Sequence, residues 1–97
     1  MQLLSTSVQV NGVNDEKTTF TREQVGRHLR SARAASGKSL EEIAICGQLK
    51  VPPLLHLERG TCRSKIAAQQ YINGLRGSQI TDELRGRLNR MIEQTDW

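Results

Sequence analysis

The side chains best suited to chemistry in this sequence are basic, hydroxyl and imidazole groups that lie between positions 38 and 65. They are Lys38, Ser39, Lys50, His56, Arg59, Thr61, Arg63, Ser64 and Lys65. Lysine and arginine attract anions, hydroxyls hydrogen-bond phosphate oxygens, and an imidazole donates or accepts a hydrogen bond. A cluster of this composition predicts binding of a polyanion and not a bond-breaking reaction.

The distribution of charge along the 97 residues is compatible with this prediction. The formal net charge is +4, and residues 21–97 carry 13 basic against 8 acidic groups, whereas residues 1–20 carry one lysine and two acidic groups. A basic surface favours anionic partners, but an excess of this size is equally compatible with a solvated surface of mixed charge. Charge alone therefore leaves both interpretations open.

Other chemistries are poorly supported by the spacing of the residues. The segment Ala32–Ser39 fits a loose phosphate-loop pattern but lacks the preceding buried strand. Cys46, His56 and Cys62 lack the paired spacing of zinc ligands, so we predict no metal and no cofactor. We expect Cys46 to be a buried small hydrophobic residue and Cys62 a surface thiol, with redox sensing by Cys62 left open. No catalytic triad or carboxylate pair stands out, and we predict that the protein is not an enzyme.

The elements that must position these groups are predicted to be helices. Thr21 with Gln24, and Ser39 with Glu42, form capping boxes that open the first two. Helical spacing of apolar residues and the glycines that follow predict helices over about 22–36, 40–46, 52–59, 64–76 and 81 onward. The sequence therefore predicts a compact all-α bundle of about five short helices over residues 21–97, with residues 1–20 as a flexible, irregular arm.

The stretch 39–60, SLEEIAICGQLKVPPLLHLERG, joins two of these helices through a tight turn. Its apolar positions match the inside of a helix-turn-helix, with Ala44 expected where the helices cross most closely; they are Leu40, Ile43, Ala44, Leu49, Leu54 and Leu57. The stretch resembles, without a gap, the helix-turn-helix of the Cro and phage-repressor (Xre-type) family. The resemblance begins at VGRHLRSARAASGKS, residues 25–39, and its best sub-match is the variety in RodZ-like proteins. It implies a lambda-repressor-like fold.

Two departures from the family pattern lie in this stretch. The turn glycine, Gly47, stands one place earlier than usual and is followed by Gln48. Pro52, Pro53 and Leu55 occupy positions that are often polar in proteins that read DNA. The departures concern the geometry of the turn and the contacts to bases.

The resemblance implies that the second helix of the pair lies in the major groove of DNA. The candidates for base contacts are then Lys50, Val51, Pro52, Leu55, His56 and Arg59. The candidates for phosphate contacts are Lys38, Ser39, Thr61, Arg63, Ser64 and Lys65. In the family, the positions of Arg33 and Glu58 pair across helices, and we interpret this pair as structural.

The last predicted helix carries an apolar stripe of Leu84, Leu88, Met91 and Ile92. The stripe either packs on the protein's own core or forms the seam of a two-fold dimer. A dimer would place two recognition helices one DNA turn apart, on the halves of a palindrome. We therefore predict a homodimer formed through this stripe.

The resemblance implies a sequence-specific, double-stranded-DNA-binding transcriptional regulator, a small repressor that binds a palindromic operator as a dimer. One alternative is an antitoxin that also represses its own operon, with a toxin or another regulator as partner. Another is a protein-interaction module built on the same fold. No stretch approaches ~18 consecutive apolar residues and no signal peptide is apparent. We expect no membrane association and a cytoplasmic, bacterial or phage-encoded protein that is nucleoid-associated when bound to DNA.

Overall fold

The computed structural model describes residues 19–97, and within that range the chain forms five α-helices. They are α1 (Arg22–Ser36), α2 (Leu40–Gly47), α3 (Val51–Arg59), α4 (Lys65–Asn73) and α5 (Asp82–Glu93). The same range contains no strand, and an isolated parallel bridge pairs Phe20 with Thr95. The predicted all-α class is confirmed. The predicted arm over residues 1–20 falls almost wholly outside the described residues, although Phe20 packs half-buried against the core.

Local side-chain caps start four of the helices. The predicted capping boxes at Thr21 and Ser39 are both present, with the third helical residue reaching back to the cap in each. Ser64 and Thr81 each accept a backbone N–H at the start of α4 and α5. Helix α3 differs, because Lys50 at its N-cap position makes no side-chain cap and two prolines fill its first turn. Prolines are tolerated there because a first-turn N–H has no partner within the helix.

The helix ends depart from prediction at two points. Gly47 is the last residue of α2, and the left-handed position after it is filled by Gln48, with φ of 60°. Helix α4 ends at Asn73, about three residues earlier than predicted, and continues as hydrogen-bonded turns. Both differences follow from the packing of α2 against α4.

Three glycines allow helices to approach more closely than a side chain would permit. A Cβ at Gly26 would lie 2.5 Å from the carbonyl oxygens of Leu57 and Glu58, so α1 lies directly against α3. A Cβ at Gly47 would overlap the backbone of α4, and one at Gly74 would overlap the backbone of α2. The glycine in the predicted turn therefore serves helix packing, while Gln48 takes the turn conformation.

All five helices contribute side chains to one hydrophobic core. Its buried apolar members are Val25, Leu29, Ala32, Ile43, Ala44, Leu54, Leu57, Ala67, Ala68, Tyr71, Ile72, Leu75, Ile80, Leu88 and Ile92. Helix α1 packs against α3 and α5, α2 against α3 and α4, and α4 against α3 and α5. Helix α3 therefore rests on three neighbours, and this arrangement fixes which of its faces meets solvent.

Candidate nucleic-acid interface

One face of α3 meets solvent and carries most of the predicted base-contact residues. Pro52, Leu55, His56 and Arg59 recur at i, i+3, i+4 and i+7, which places them on one side of a helix. Three of them are exposed and Leu55 is half-buried. Lys50 is exposed at the start of the same helix. The structure therefore brings together five of the six predicted base-contact residues, and we call these five the α3 face.

The sixth predicted base-contact residue is placed differently. Val51 is half-buried and packs against the hydrophobic core. Its methyl groups are therefore engaged by the protein itself. The prediction that Val51 meets a base is corrected to a packing role, because burial of an apolar side chain in the core stabilises the fold only while it stays there.

The α3 face carries no carboxylate, because the single acidic residue of α3 points into the protein. The Glu58 side chain is 7% exposed and binds Arg33 of α1 in a two-pronged ion pair. Arg33 Nε lies 2.7 Å from Glu58 Oε2, and Arg33 Nη2 lies 3.1 Å from Oε1. The interpretation of Arg33 and Glu58 as a structural pair agrees with this geometry. The paired charges leave the α3 face with its cations and no competing anion.

Tyr71 of α4 completes this cluster. Its hydroxyl donates to Glu58 Oε2 at 2.5 Å and lies 3.3 Å from the carbonyl oxygen of Leu29. Burial, and then the hydrogen bond to Glu58, raise the pKa of the Tyr71 phenol far above its usual range. The hydrogen bond to Glu58 likewise raises the pKa of the Arg33 guanidinium. Tyr71 therefore remains a donor and Arg33 a cation, and α1, α3 and α4 are tied together at Glu58.

A shallow depression between α1 and α3 adds one residue that the sequence reasoning missed. It is lined by Arg30, Arg33, Leu55, Glu58 and Arg59. Glu58 neutralises Arg33, and neither Arg30 nor Arg59 has an ion-pair partner among residues 19–97. The available signal was the helical spacing that places Arg30 one turn before Arg33. Two exposed guanidinium groups therefore flank the end of the α3 face.

The start of α2 is held by internal contacts. The Lys38 ammonium donates to the carbonyl oxygens of Gly74 at 3.0 Å and Arg76 at 2.7 Å. The Ser39 hydroxyl accepts the Glu42 N–H, and the hydrogen bonds from Ser39 to the Glu42 carboxylate lower the pKa of that group. Lys38 and Ser39, both predicted to contact phosphate, are thus occupied in capping helices, which corrects the expectation that the Lys38 ammonium is available to DNA.

In the segment after α3, most of the predicted phosphate contacts are likewise engaged by other residues of the protein. Ser64 caps α4, Thr61 hydrogen-bonds His56, and the Lys65 ammonium lies 2.7 Å from Glu93 Oε1 in an exposed ion pair. Arg63 is exposed, and no hydrogen bond or ion pair engages its side chain within the described range. Among the six residues predicted to contact phosphate, Arg63 therefore has a charged group that no other described residue engages.

The two cysteines are reversed relative to prediction. Cys46 is exposed on α2, whereas Cys62 is half-buried and packs against the core. Residues 19–97 contain no cluster of three or more histidine, cysteine or acidic side chains that could hold a metal ion. The proposed redox role of Cys62 is left as a hypothesis, with a less accessible thiol than expected.

The apolar stripe of α5 mostly faces inward. Leu88 and Ile92 are 4% and 1% exposed and belong to the core of a single chain. Leu84 and Met91 are half-buried and pack against that core. Leu88 and Ile92 therefore have no surface left for a partner, which corrects their prediction as dimer contacts in favour of the alternative, packing on the chain's own core.

No known family model matches this chain, and comparisons with curated proteins and with solved structures likewise find no match. In the part of the chain that the structure describes, no helix is both long enough and apolar enough to cross a membrane.

Proposed function

We propose that the protein is a sequence-specific, double-stranded-DNA-binding transcriptional regulator in which α2 and α3 form a helix-turn-helix and α3 is the recognition helix. The observation that carries the proposal is the α3 face: Pro52, Leu55, His56 and Arg59 lie on one side of the helix and Lys50 is exposed at its start, with no carboxylate among them. Side chains of these types match the groups of a major groove, where cations meet guanine and phosphates, and apolar groups meet thymine methyls.

The dimensions of α3 suit this role. With its side chains an α-helix is about 10–12 Å across, which fits the ~12 Å width of the major groove. The connection between α2 and α3 is three residues long, from Gln48 to Lys50. A short connection and the Arg33–Glu58 pair restrict how α3 moves relative to the rest of the protein. A fixed recognition helix is a requirement for discriminating between base pairs.

Phosphate contacts are assigned to guanidinium groups near the C-terminal end of α3. Arg30 extends from α1 near Arg59, and Arg63 follows the end of α3. Because each neutralised phosphate releases counterions, affinity should fall steeply as salt increases. Arg30→Ala and Arg63→Ala are expected to weaken binding to all duplexes, each lowering the salt slope by about 1.

Dimerisation on a palindromic operator remains part of the proposal, with a different contact surface. Leu84 and Met91 are the two stripe residues that keep partial exposure, so they are the members of the stripe available to a second copy. Repression would follow from occupation of a promoter, and a cytoplasmic, nucleoid-associated location follows from the same function. An antitoxin that represses its own operon would share this DNA-binding face.

The test is selection of bound fragments from a pool of random duplex DNA, followed by measurement of the affinity for the most enriched sequence. We expect a palindromic consensus whose half-sites are centred about one helical turn apart. His56→Ala should relax the preference at one position per half-site. Absence of any enriched sequence at low salt would overturn the proposal.

A second candidate function, a protein-interaction module, is favoured by two exposed hydrophobic residues. Ile45 on α2 is 77% exposed and Ile66 on α4 is 67% exposed. Association through such residues buries apolar area and is much less sensitive to salt than phosphate binding. A paired variant, Ile45→Ser with Ile66→Ser, separates the two functions because DNA binding by the α3 face should survive it.

A further inference from the structure

A hydrogen bond between His56 and Thr61 controls how the imidazole of the α3 face is presented to solvent. Thr61 lies just after the end of α3, and its Oγ1 is 3.0 Å from His56 Nδ1. The same hydroxyl is also within donating distance of the carbonyl oxygen of His56, at 3.3 Å. A hydroxyl has one proton to donate, so the acceptor that receives it decides the state of the ring.

The carbonyl oxygen of His56 is already occupied. It accepts the N–H of Gly60 and, at 2.9 Å, the N–H of Thr61. A carbonyl oxygen has two lone pairs, so a third and longer contact adds little. Nδ1 is nearer to the hydroxyl. The geometry therefore favours donation of the Thr61 proton to Nδ1 in the neutral ring, which leaves Nδ1 as the unprotonated nitrogen.

With Nδ1 as acceptor, the ring proton is on Nε2. The imidazolium form also carries Nε2–H, so His56 presents a donor in both forms. We infer that His56 is a specificity-determining residue that offers Nε2–H to an acceptor on a base edge, with Thr61 as the residue that positions the proton. This inference rests on the proposed function, since it presupposes that the α3 face meets the major groove.

The donor predicts which base His56 favours. In the major groove, guanine exposes two acceptors, N7 and O6, whereas cytosine exposes the N4 amino donor. Adenine and thymine each offer one acceptor, N7 or O4. The expected order at the base that His56 faces is therefore guanine first and cytosine last, with a preference of about tenfold between them.

The first experiment measures the ring directly in the free protein. Nitrogen-15 NMR at about pH 8.5, where histidine is normally neutral, distinguishes a protonated from an unprotonated ring nitrogen. We expect Nε2 of His56 to be protonated in the parent and in Thr61→Ser, and a mixture of both forms in Thr61→Val. Protonation of Nδ1 in the parent would overturn the inference whatever the protein does with DNA.

The second experiment compares base preference in the same three proteins. Duplexes that differ at the single position relaxed by His56→Ala are titrated with each protein. Parent and Thr61→Ser should prefer guanine over cytosine about tenfold, and Thr61→Val should retain roughly threefold or less. An unchanged preference in Thr61→Val, or a parent preference for cytosine, overturns the inference alone. Failure of every protein to bind any duplex removes the proposed function and the inference with it.

Discussion

Helices α3 and α5 carry similar formal charges but differ in where their carboxylates lie. Helix α5 has three arginines and three acidic residues, and α3 has one of each. On α5 the acidic side chains remain exposed among the arginines, and Arg85 pairs with Asp82. On α3 the one acidic side chain, Glu58, is withdrawn into its pair with Arg33.

On electrostatic grounds, the placement of carboxylates decides more than the number of arginines whether a surface suits a polyanion. Opposite charges a few ångströms apart cancel most of their field at the distance of a ligand, whereas an unaccompanied cation keeps it. Helix α5 has more arginines and is still the poorer candidate.

The largest expected effect is a difference in stability between alanine substitutions at a glycine packed against α3 and at a glycine on α5. Gly26→Ala places a methyl group against the carbonyls of α3, and we expect it to lower the free energy of unfolding by about 3 kcal/mol. Gly86→Ala on α5 is the matched control: the nearest heavy atom to its Cβ is a side-chain atom at 3.9 Å. There, alanine should raise stability by about 0.5–1 kcal/mol. Urea denaturation measures both, and equal effects would contradict a close α1–α3 contact.

The next effect concerns the ion pairs of the two helices. Glu58→Gln removes the negative charge to which Arg33 and Tyr71 both donate hydrogen bonds. We expect the free energy of unfolding to fall by about 2 kcal/mol. Glu93→Gln breaks the exposed pair with Lys65 and should cost less than about 0.5 kcal/mol. Thermal denaturation of both variants is the measurement. A larger loss in Glu93→Gln would place the main constraint on α5 and not on α3.

A smaller, pH-dependent effect follows from the raised pKa of Tyr71. Because the folded protein keeps the phenol protonated, its contribution to stability is fully present below about pH 10 and is lost as the pH rises beyond that value. Tyr71→Phe should cost about 1 kcal/mol at pH 8, and the difference from the parent should narrow toward pH 11.

The control for Tyr71 is a non-titrating donor beside α5. Trp97 Nε1 donates to the carbonyl oxygen of Ile92 at 3.0 Å. The difference in stability between the parent and Trp97→Phe should therefore be the same at both pH values. A parent–Tyr71→Phe difference that stays constant or widens with pH, by urea denaturation, would contradict the buried cluster at Glu58.

The smallest expected effect is at Gln48, the first residue after α2. Gln48 has a left-handed backbone, which is costly for a residue with a Cβ, so Gln48→Gly should stabilise the protein by about 0.5–1 kcal/mol. Gln94, after α5, has φ of −96° and should gain nothing from glycine. Both are exposed, and thermal midpoints compare them. Stabilisation by Gln94→Gly alone would show that the strain does not lie at the turn.

The sequence predicted those parts of the fold that depend on neighbouring residues. The capping boxes at Thr21 and Ser39 satisfy backbone groups three residues away, so their residue types suffice to place the starts of α1 and α2. The end of α4 was predicted too late because Gly74 packs against the backbone of Ile43, a residue 31 positions earlier in the chain. Gly47 was interpreted as a turn residue for the same reason.

The candidate site was predicted to the same extent. The resemblance supplied Lys50, Pro52, Leu55, His56 and Arg59 as candidates, and helical spacing alone suffices to put the last four on one side of α3. The engagement of Lys38 by carbonyls near Arg76, and of Glu58 by Tyr71, joins residues distant in sequence and has no local signal. Cys46 was misplaced because the short α2 buries Ile43, Ala44 and Gly47, which turns position 46 outward.

The most direct test compares charge-matched pairs of alanine substitutions on the two helices. Lys50→Ala with Arg59→Ala removes two cations from the α3 face, and Arg87→Ala with Arg90→Ala removes two exposed cations from α5. Affinity for the selected duplex is measured over a series of salt concentrations. We predict that the α3 pair weakens binding at least tenfold across the salt series, and that the α5 pair changes affinity by less than about twofold. Equal losses, or a larger loss from the α5 pair, would contradict DNA binding through the α3 face.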